Sequence, residues 1–176
     1  MAVLDIVKYG DPILRKVCDP VTDFSNLKTF IEDMFDTMYE AEGVGLAANQ
    51  VGKDMNLFVV DVSHTEEADE PFIAINGKII DGQGECAFEE GCLSIPDVTF
   101  EVIRPEIIRF KYQTPDQKWH KKKFNGLFAR AIQHEMDHLA GRMIVDHIND
   151  LARIPYKKHL KTLEKEAKKR AKSLVI

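Results

Sequence analysis

Cysteine is scarce in this chain: three in 176 residues, Cys18, Cys86 and Cys92. An odd count without C-x-x-C spacing argues against a disulfide framework and for reduced thiols. Long apolar runs are also absent, and none approaches the roughly 20 residues that a membrane-spanning helix needs. Met1 to Lys8 carry an acid inside their apolar stretch and lack both the basic start and the cleavage site of a secretory signal. The expectation is a cytoplasmic protein without a membrane partner. There is no internal repeat and no low-complexity segment, which leaves an ordinary globular chain.

Hydrophobic residues make up 44% and charged residues 30%, enough for one domain with a proper core over residues 1–176. The net charge of −5 is unevenly spread. Tyr156 to Ile176 hold seven Lys and one Arg against two Glu, a tail of +6 on a body of −11. Such asymmetry points to a basic segment, 150–176, with a partner of its own.

In chain order, residues 3–22 read as an extended arm with turns at Gly10, Pro12 and Pro20. Leu27, Phe30, Ile31, Met34, Phe35 and Met38 recur at helical steps, so a first helix starts near Ser25 and ends before Gly43. Gly43 to Gly52 is rich in small residues that let other groups approach the backbone. A phosphate cradle is excluded, since no Lys-Ser/Thr follows the glycines and no strand precedes them. Asn56–Val62 and Phe72–Ile80 read as strands, with His64 to Glu70 a mobile, solvated loop between them. Val98–Ile103 and the alternating Ile108, Phe110 and Tyr112 follow, and Thr114–Gln117 turns the chain into Trp119–Phe124. Asn125 is the expected cap of a helix that Gly141 ends, and Pro155 begins a last helix lined by Leu160, Leu163, Ala167 and Leu174. The order predicts an α+β fold: mainly antiparallel sheet around a central helix, with a C-terminal helix.

That central helix carries Gln133-His134-Glu135-Met136-Asp137-His138. Histidines four apart share one helix face and can reach one metal ion, with the adjacent glutamate placed to take a proton from water. Burying all three without a partner would cost several kcal/mol, on the order of that for any unsatisfied polar group. A catalytic metal usually takes a third protein ligand. The residues leave Cys92, Glu89, Glu90 and His147 in contention. Gly91 before Cys92 lets that backbone lie close to an ion, and Pro96 is expected to stop any strand there.

Three stretches together, Gly43-Val44-Gly45-Leu46-Ala47-Ala48-Asn49-Gln50, Glu90-Gly91-Cys92-Leu93-Ser94-Ile95-Pro96 and Gln133 to His138, resemble the signature motifs of peptide deformylases in their order and spacing. The resemblance implies a hydrolase that removes the formyl group from N-formyl-methionine of nascent polypeptides, as a single catalytic domain. It makes Cys92, His134 and His138 the metal ligands and Glu135 the acid/base. Gln50 and the Leu93 N–H become the donors to the oxyanion. Fe(II) would be the native ion, with Zn(II), Ni(II) or Co(II) able to replace it. By the same resemblance Val44, Phe88, Leu127 and the Arg130 stem line the methionine pocket. Gly45 and the Gly91 region pair with the substrate backbone. Some deformylases hold that backbone with an arginine shortly after the Pro of the second motif; Asp97-Val98-Thr99 supplies none here. Asn49, at a variable position, carries little information.

The resemblance also extends to the basic C-terminal helix, which reads either as a contact to the ribosome or as a solvated helix packed by its leucine line, and a monomer is the expected state. Two rival functions share parts of this pattern: a metallopeptidase with the same histidine pair, and a ribosome-associated protein that has lost catalysis. The first would draw a third His or Glu from further along the chain. The second would be missing Glu135, Gln50 or a ligand.

Overall fold

The computed structural model describes residues 2–173. It begins with an irregular arm whose only regular element is a 3-10 turn, Pro12–Arg15, started by Asp11, which accepts from the Ile13 N–H at 3.1 Å. Helix α1 is Leu27–Glu40, and its buried Leu27, Ile31, Met34 and Met38 follow the predicted stripe. Then come β1 (Gly45–Ala47), a 3-10 turn (Ala48–Val51), β2 (Leu57–Val60) and β3 (Phe72–Gln83). Next are β4 (Cys86–Cys92), β5 (Ile95–Arg104), β6 (Ile107–Gln113) and β7 (Trp119–Asn125). Helix α2 is Gly126–Leu139, followed by a short α3 (Asp150–Arg153) and α4 (Lys157–Ser173).

All strand pairs are antiparallel. Five strands form one sheet in the order β1-β2-β3-β6-β7, and β4 pairs only with β5 in a separate ribbon. Helix α2 packs on one face of the large sheet through Ala129, Ile132, Phe58, Phe110 and Tyr112. Helix α1 covers the opposite face only over β1, β2 and the start of β3, through Leu46, Leu57, Val59, Ile73 and Ile75. A third apolar cluster joins the N-terminal arm, the ribbon and α4 through Val7, Phe100, Val102, Leu160 and Leu163. No helix among the described residues is long and apolar enough to cross a membrane.

Several local expectations need correction. Pro96 does not stop a strand; it is the second residue of β5, inside the register shift between the Gly91–Thr99 and Cys92–Ile95 pairs, where its missing N–H removes no ladder bond. Asn125 occupies the cap position of α2 but its side chain does not cap. Glu67 does so instead, accepting from the Leu127 N–H at 2.9 Å, so the acidic loop is fastened to the start of α2. The last helix starts at Lys157 rather than Pro155, because Asn149 caps a separate turn at Asp150–Arg153 and Pro155 sits in a 3-10 link. Leu160 and Leu163 are buried; Leu174 lies outside the described residues. The α2 terminus is as expected. Gly141 has φ +76°, and a Cβ there would lie 2.5 Å from the Arg15 carbonyl oxygen, so only glycine fits the turn.

Candidate metal centre and substrate groove

Helix α2 presents His134, Glu135 and His138 from its middle and last turns, held by the apolar residues that seat it on the sheet. Cys92 reaches the same place from the end of β4. Its Sγ is 3.3 Å from His138 Nε2, which is 3.2 Å from His134 Nε2. The three donor atoms lie within 4.8 Å of one another, the only such group of three among the described residues.

The other third-ligand candidates are occupied elsewhere. His147 Nε2 is 2.7 Å from Asp137 Oδ2. Glu89 is exposed on β4. Glu90 is buried behind the site: its Oε1 accepts from His134 Nδ1 at 2.9 Å, and its Oε2 accepts from Arg104 Nε at 2.6 Å and Arg130 Nη1 at 2.5 Å. Arg104 also donates to Asp137 Oδ2 at 2.8 Å, which closes a charged network between the ribbon and α2. Holding His134 by Nδ1 turns its Nε2 toward Cys92 and His138, the orientation that a carboxylate gives a ligating imidazole.

Electrostatics follow from that arrangement. Burial alone would push the Cys92 thiol up, but the neighbouring imidazoles outweigh it and bring its pKa down to about 5. Burial also opposes ionisation of Glu90, yet Arg104 and His134 hold it well below the usual carboxylate range. Glu135 is pushed up by burial, with its two histidine neighbours opposing. Its Oε1 is buried with no hydrogen-bond partner, as is His138 Nδ1.

The first motif wraps the other side. Gln50 is buried; its Oε1 accepts from the Ala47 N–H at 2.9 Å, which aims Nε2 at Ser94 Oγ, 3.2 Å, and Cys92 Sγ, 3.8 Å. The N-terminal arm staples the two motifs: Val7 N–H donates to Gln50 O, and Ser94 Oγ donates to Val7 O, both at 2.8 Å. Gly45 lies so close to Glu135 that a Cβ would sit 2.6 Å from Oε2. Leu93 forms, with Ser94, the turn between β4 and β5 beside Cys92.

A groove of about 490 Å³ opens here, lined by Gln50, Cys92, His134 and Glu135 and, further out, by Val44, Gly45, Phe88, Gly91, Leu127 and Arg130. Only the stem of Arg130 is available, because its guanidinium donates to Glu90, Val102 O and Cys86 O. Motif reading missed several supports. Asn49, set aside as uninformative, is fully buried and donates through Nδ2 to the His138 carbonyl at 2.6 Å, tying the first motif to the last turn of α2. Arg104, Asp137 and Ser94 also escaped it; their partners are far away in the chain and leave no local pattern.

A family model described as polypeptide deformylase matches residues 3–153. The chain belongs to that family. It is 43% identical over 154 residues to a peptide deformylase of Acidobacterium capsulatum, covering 87% of this chain and 91% of that one. The crystal structure of the Thermus thermophilus peptide deformylase superposes with a TM-score of 0.88 at 38% identity, over 94% of this chain and 99% of that one. A Synechococcus elongatus peptide deformylase solved in complex with actinonin gives 0.82 at 40% identity, over 90% and 86%.

Proposed function

We propose that this chain is a metal-dependent hydrolase that removes the N-terminal formyl group from formyl-methionyl nascent peptides and releases formate. One observation carries the reading: three metal-donor atoms converge within 4.8 Å beside a buried carboxylate oxygen that has no partner. The donor set fits a divalent ion. A cysteine sulfur and two imidazoles are soft-to-borderline ligands, so Fe(II) is the proposed native ion, with Zn(II), Ni(II) or Co(II) able to substitute. Cys92, His134 and His138 would hold it. Bound there, such an ion supplies Lewis acidity, which acidifies water and polarises a carbonyl.

The residues around it divide the rest of the work. Glu135 takes the proton of the attacking water through its unpartnered oxygen and returns it to the departing amine. Gln50 Nε2, held in place by Ala47, and the Leu93 N–H donate to the formyl oxygen as charge gathers on it. Burial pushes the Glu135 carboxyl above its ordinary range, which favours its holding the proton between the two steps. The methionine side chain enters the apolar part of the groove at Val44, Phe88, Leu127 and the Arg130 stem. Strand β1 pairs only with β2, and β4 only with β5. Each therefore keeps a free edge, at Gly45 and Gly91, where an extended peptide can add as a strand.

The groups in this scheme come from the arm, the first motif, the ribbon and α2, so we take residues 1–176 as one catalytic unit. We take it as a cytoplasmic monomer. Leu160 and Leu163 pack α4 inward and leave Lys161, Lys165, Lys168 and Lys169 exposed, which supports a ribosomal contact for that helix. The test is formate release from formyl-Met-Ala-Ser by protein purified without oxygen and loaded with Fe(II), against acetyl-Met-Ala-Ser. Fast formate with little acetate is expected. No formate from protein of verified metal content would overturn the function.

A further inference from the structure

The large sheet has a second face that catalysis does not use. Helix α1 covers it over β1, β2 and the start of β3, ending at the row Leu57–Ile75–Gln113–Trp119. The next row, read across the strands, is Lys78–Lys111–Lys121, three lysines directly opposite one another. The row after it is Asp81–Arg109–Lys123. All six of these residues are exposed. Buried Ile108, Phe110 and Tyr112 alternate with Arg109 and Lys111, so the cations point away from α2. Asp81 is the one acid in these rows and is engaged by Arg109. Trp119 is half exposed, with Lys111 Nζ lying over its ring at 4.7 Å from the centroid.

Like charges placed directly opposite one another on a sheet destabilise it. Protection of an exposed edge strand explains lysines on β7. It does not explain Lys111 on β6, which is flanked by β3 and β7 at this register, whereas Lys78 lies past the last β2 pair, where β3 is itself an edge. The arrangement is also set in a chain of net charge −5, so cations have been gathered on this face against the overall balance. A repulsive row of this kind is relieved by a polyanion whose charges recur along one line.

We propose that this face binds the phosphate backbone of RNA across Lys78, Lys111, Lys121, Arg109 and Lys123, with Trp119 as a stacking platform for one base. Phosphates neutralise the rows, and the half-exposed indole beside Lys111 can take a base as aromatic platforms do in single-strand binders. An anionic membrane is the poorer fit: the two cationic rows hold no large aromatic, and neighbouring Trp119 has the Lys111 ammonium over its ring. The site is separate from the catalytic groove and from α4, and it stands whether or not the formyl-peptide reading does.

The test uses metal-loaded, full-length protein and a fluorescein-labelled oligouridylate, followed by anisotropy over a series of salt concentrations. The sheet variant is Lys78→Gln/Lys111→Gln/Lys121→Gln, and the tail variant Lys161→Gln/Lys165→Gln/Lys168→Gln removes the same charge. The sheet variant is expected to lose at least about tenfold in affinity, and the slope of log K against log salt should become shallower by about 2, near 0.7 per lost phosphate contact. Trp119→Ala should lose affinity without changing that slope. The melting temperature of the sheet variant should equal or exceed that of the parent, because the repulsion is gone. Unchanged RNA binding in the sheet variant, or no binding by the parent at low salt, would overturn the proposal. So would tighter binding to phosphatidylserine vesicles than to RNA that the sheet variant alone abolishes.

Discussion

Helix α2 and the β4–β5 ribbon deliver groups to the same centre, yet they are held differently. Eight of the residues of α2 are buried, and apolar side chains seat it against the large sheet. Strand β4 exposes Cys86 to Glu89, has β5 as its sole strand partner, and is tied to α2 by Glu90, Arg104, Arg130 and Asp137. Apolar packing is indifferent to pH and gives no information about the metal. A buried charged network depends on protonation and, through His134, reaches the proposed metal site. Helix α2 is thus seated on the sheet by hydrophobic burial, whereas the tie between the ribbon and α2 is electrostatic.

Breaking each half separately should expose that difference. The largest stability effect is expected for Glu90→Ala, which leaves Arg104 and Arg130 buried without their carboxylate and costs about 3–5 kcal/mol in urea unfolding. The same variant should bind metal about 10–100-fold more weakly, because His134 loses the partner of its Nδ1. Ile132→Ala, on the sheet side of α2, should cost about 2–5 kcal/mol through the cavity it leaves, with metal affinity almost unchanged. If both variants weakened metal binding equally, the distinction between the halves would fail.

Acid sharpens the comparison. The folded-state pKa of Glu90 lies below its ordinary value of 4.5, so its contribution to stability is complete above that value and is lost as pH falls below it. The stability gap between parent and Glu90→Ala should therefore shrink in unfolding titrations below pH 4.5, while the gap to Ile132→Ala stays constant. The smallest effect is expected at the exposed end of the ribbon. Phe88 is 53% exposed, so Phe88→Ala should change stability by no more than about 0.5 kcal/mol. It should still raise KM for formyl-methionyl peptides by removing one wall of the groove.

The same contrast decides what the sequence made legible. The α2 helix was readable because Leu127, Ala131, His134 and His138 keep helical spacing, and β6 because burial alternates along Ile108, Phe110 and Tyr112. Strand β4 was not readable: with most of its residues exposed on both faces, no alternation marks it. The cap of α2 was missed because it comes from Glu67, sixty residues away, instead of from the adjacent Asn125. Asn49 looked uninformative for the same reason, since its partner is the distant His138 carbonyl. Pro96 looked like a strand breaker because the register shift that accommodates it is a property of the ribbon, not of the local sequence. The resemblance to the deformylase motifs pointed to Cys92, His134, His138, Glu135 and Gln50; the network around them appears only once the chain is folded.

The most direct test measures metal content and formate release on the same preparations of Cys92→Ala and Glu135→Gln. Cys92→Ala should lose both the metal and the activity. Glu135→Gln should keep the metal while turnover falls by about 10²–10⁴-fold, the range for loss of a general acid/base. Full turnover in metal-loaded Glu135→Gln, or stoichiometric metal in Cys92→Ala, would contradict the proposed division between a ligand tripod and a separate proton carrier.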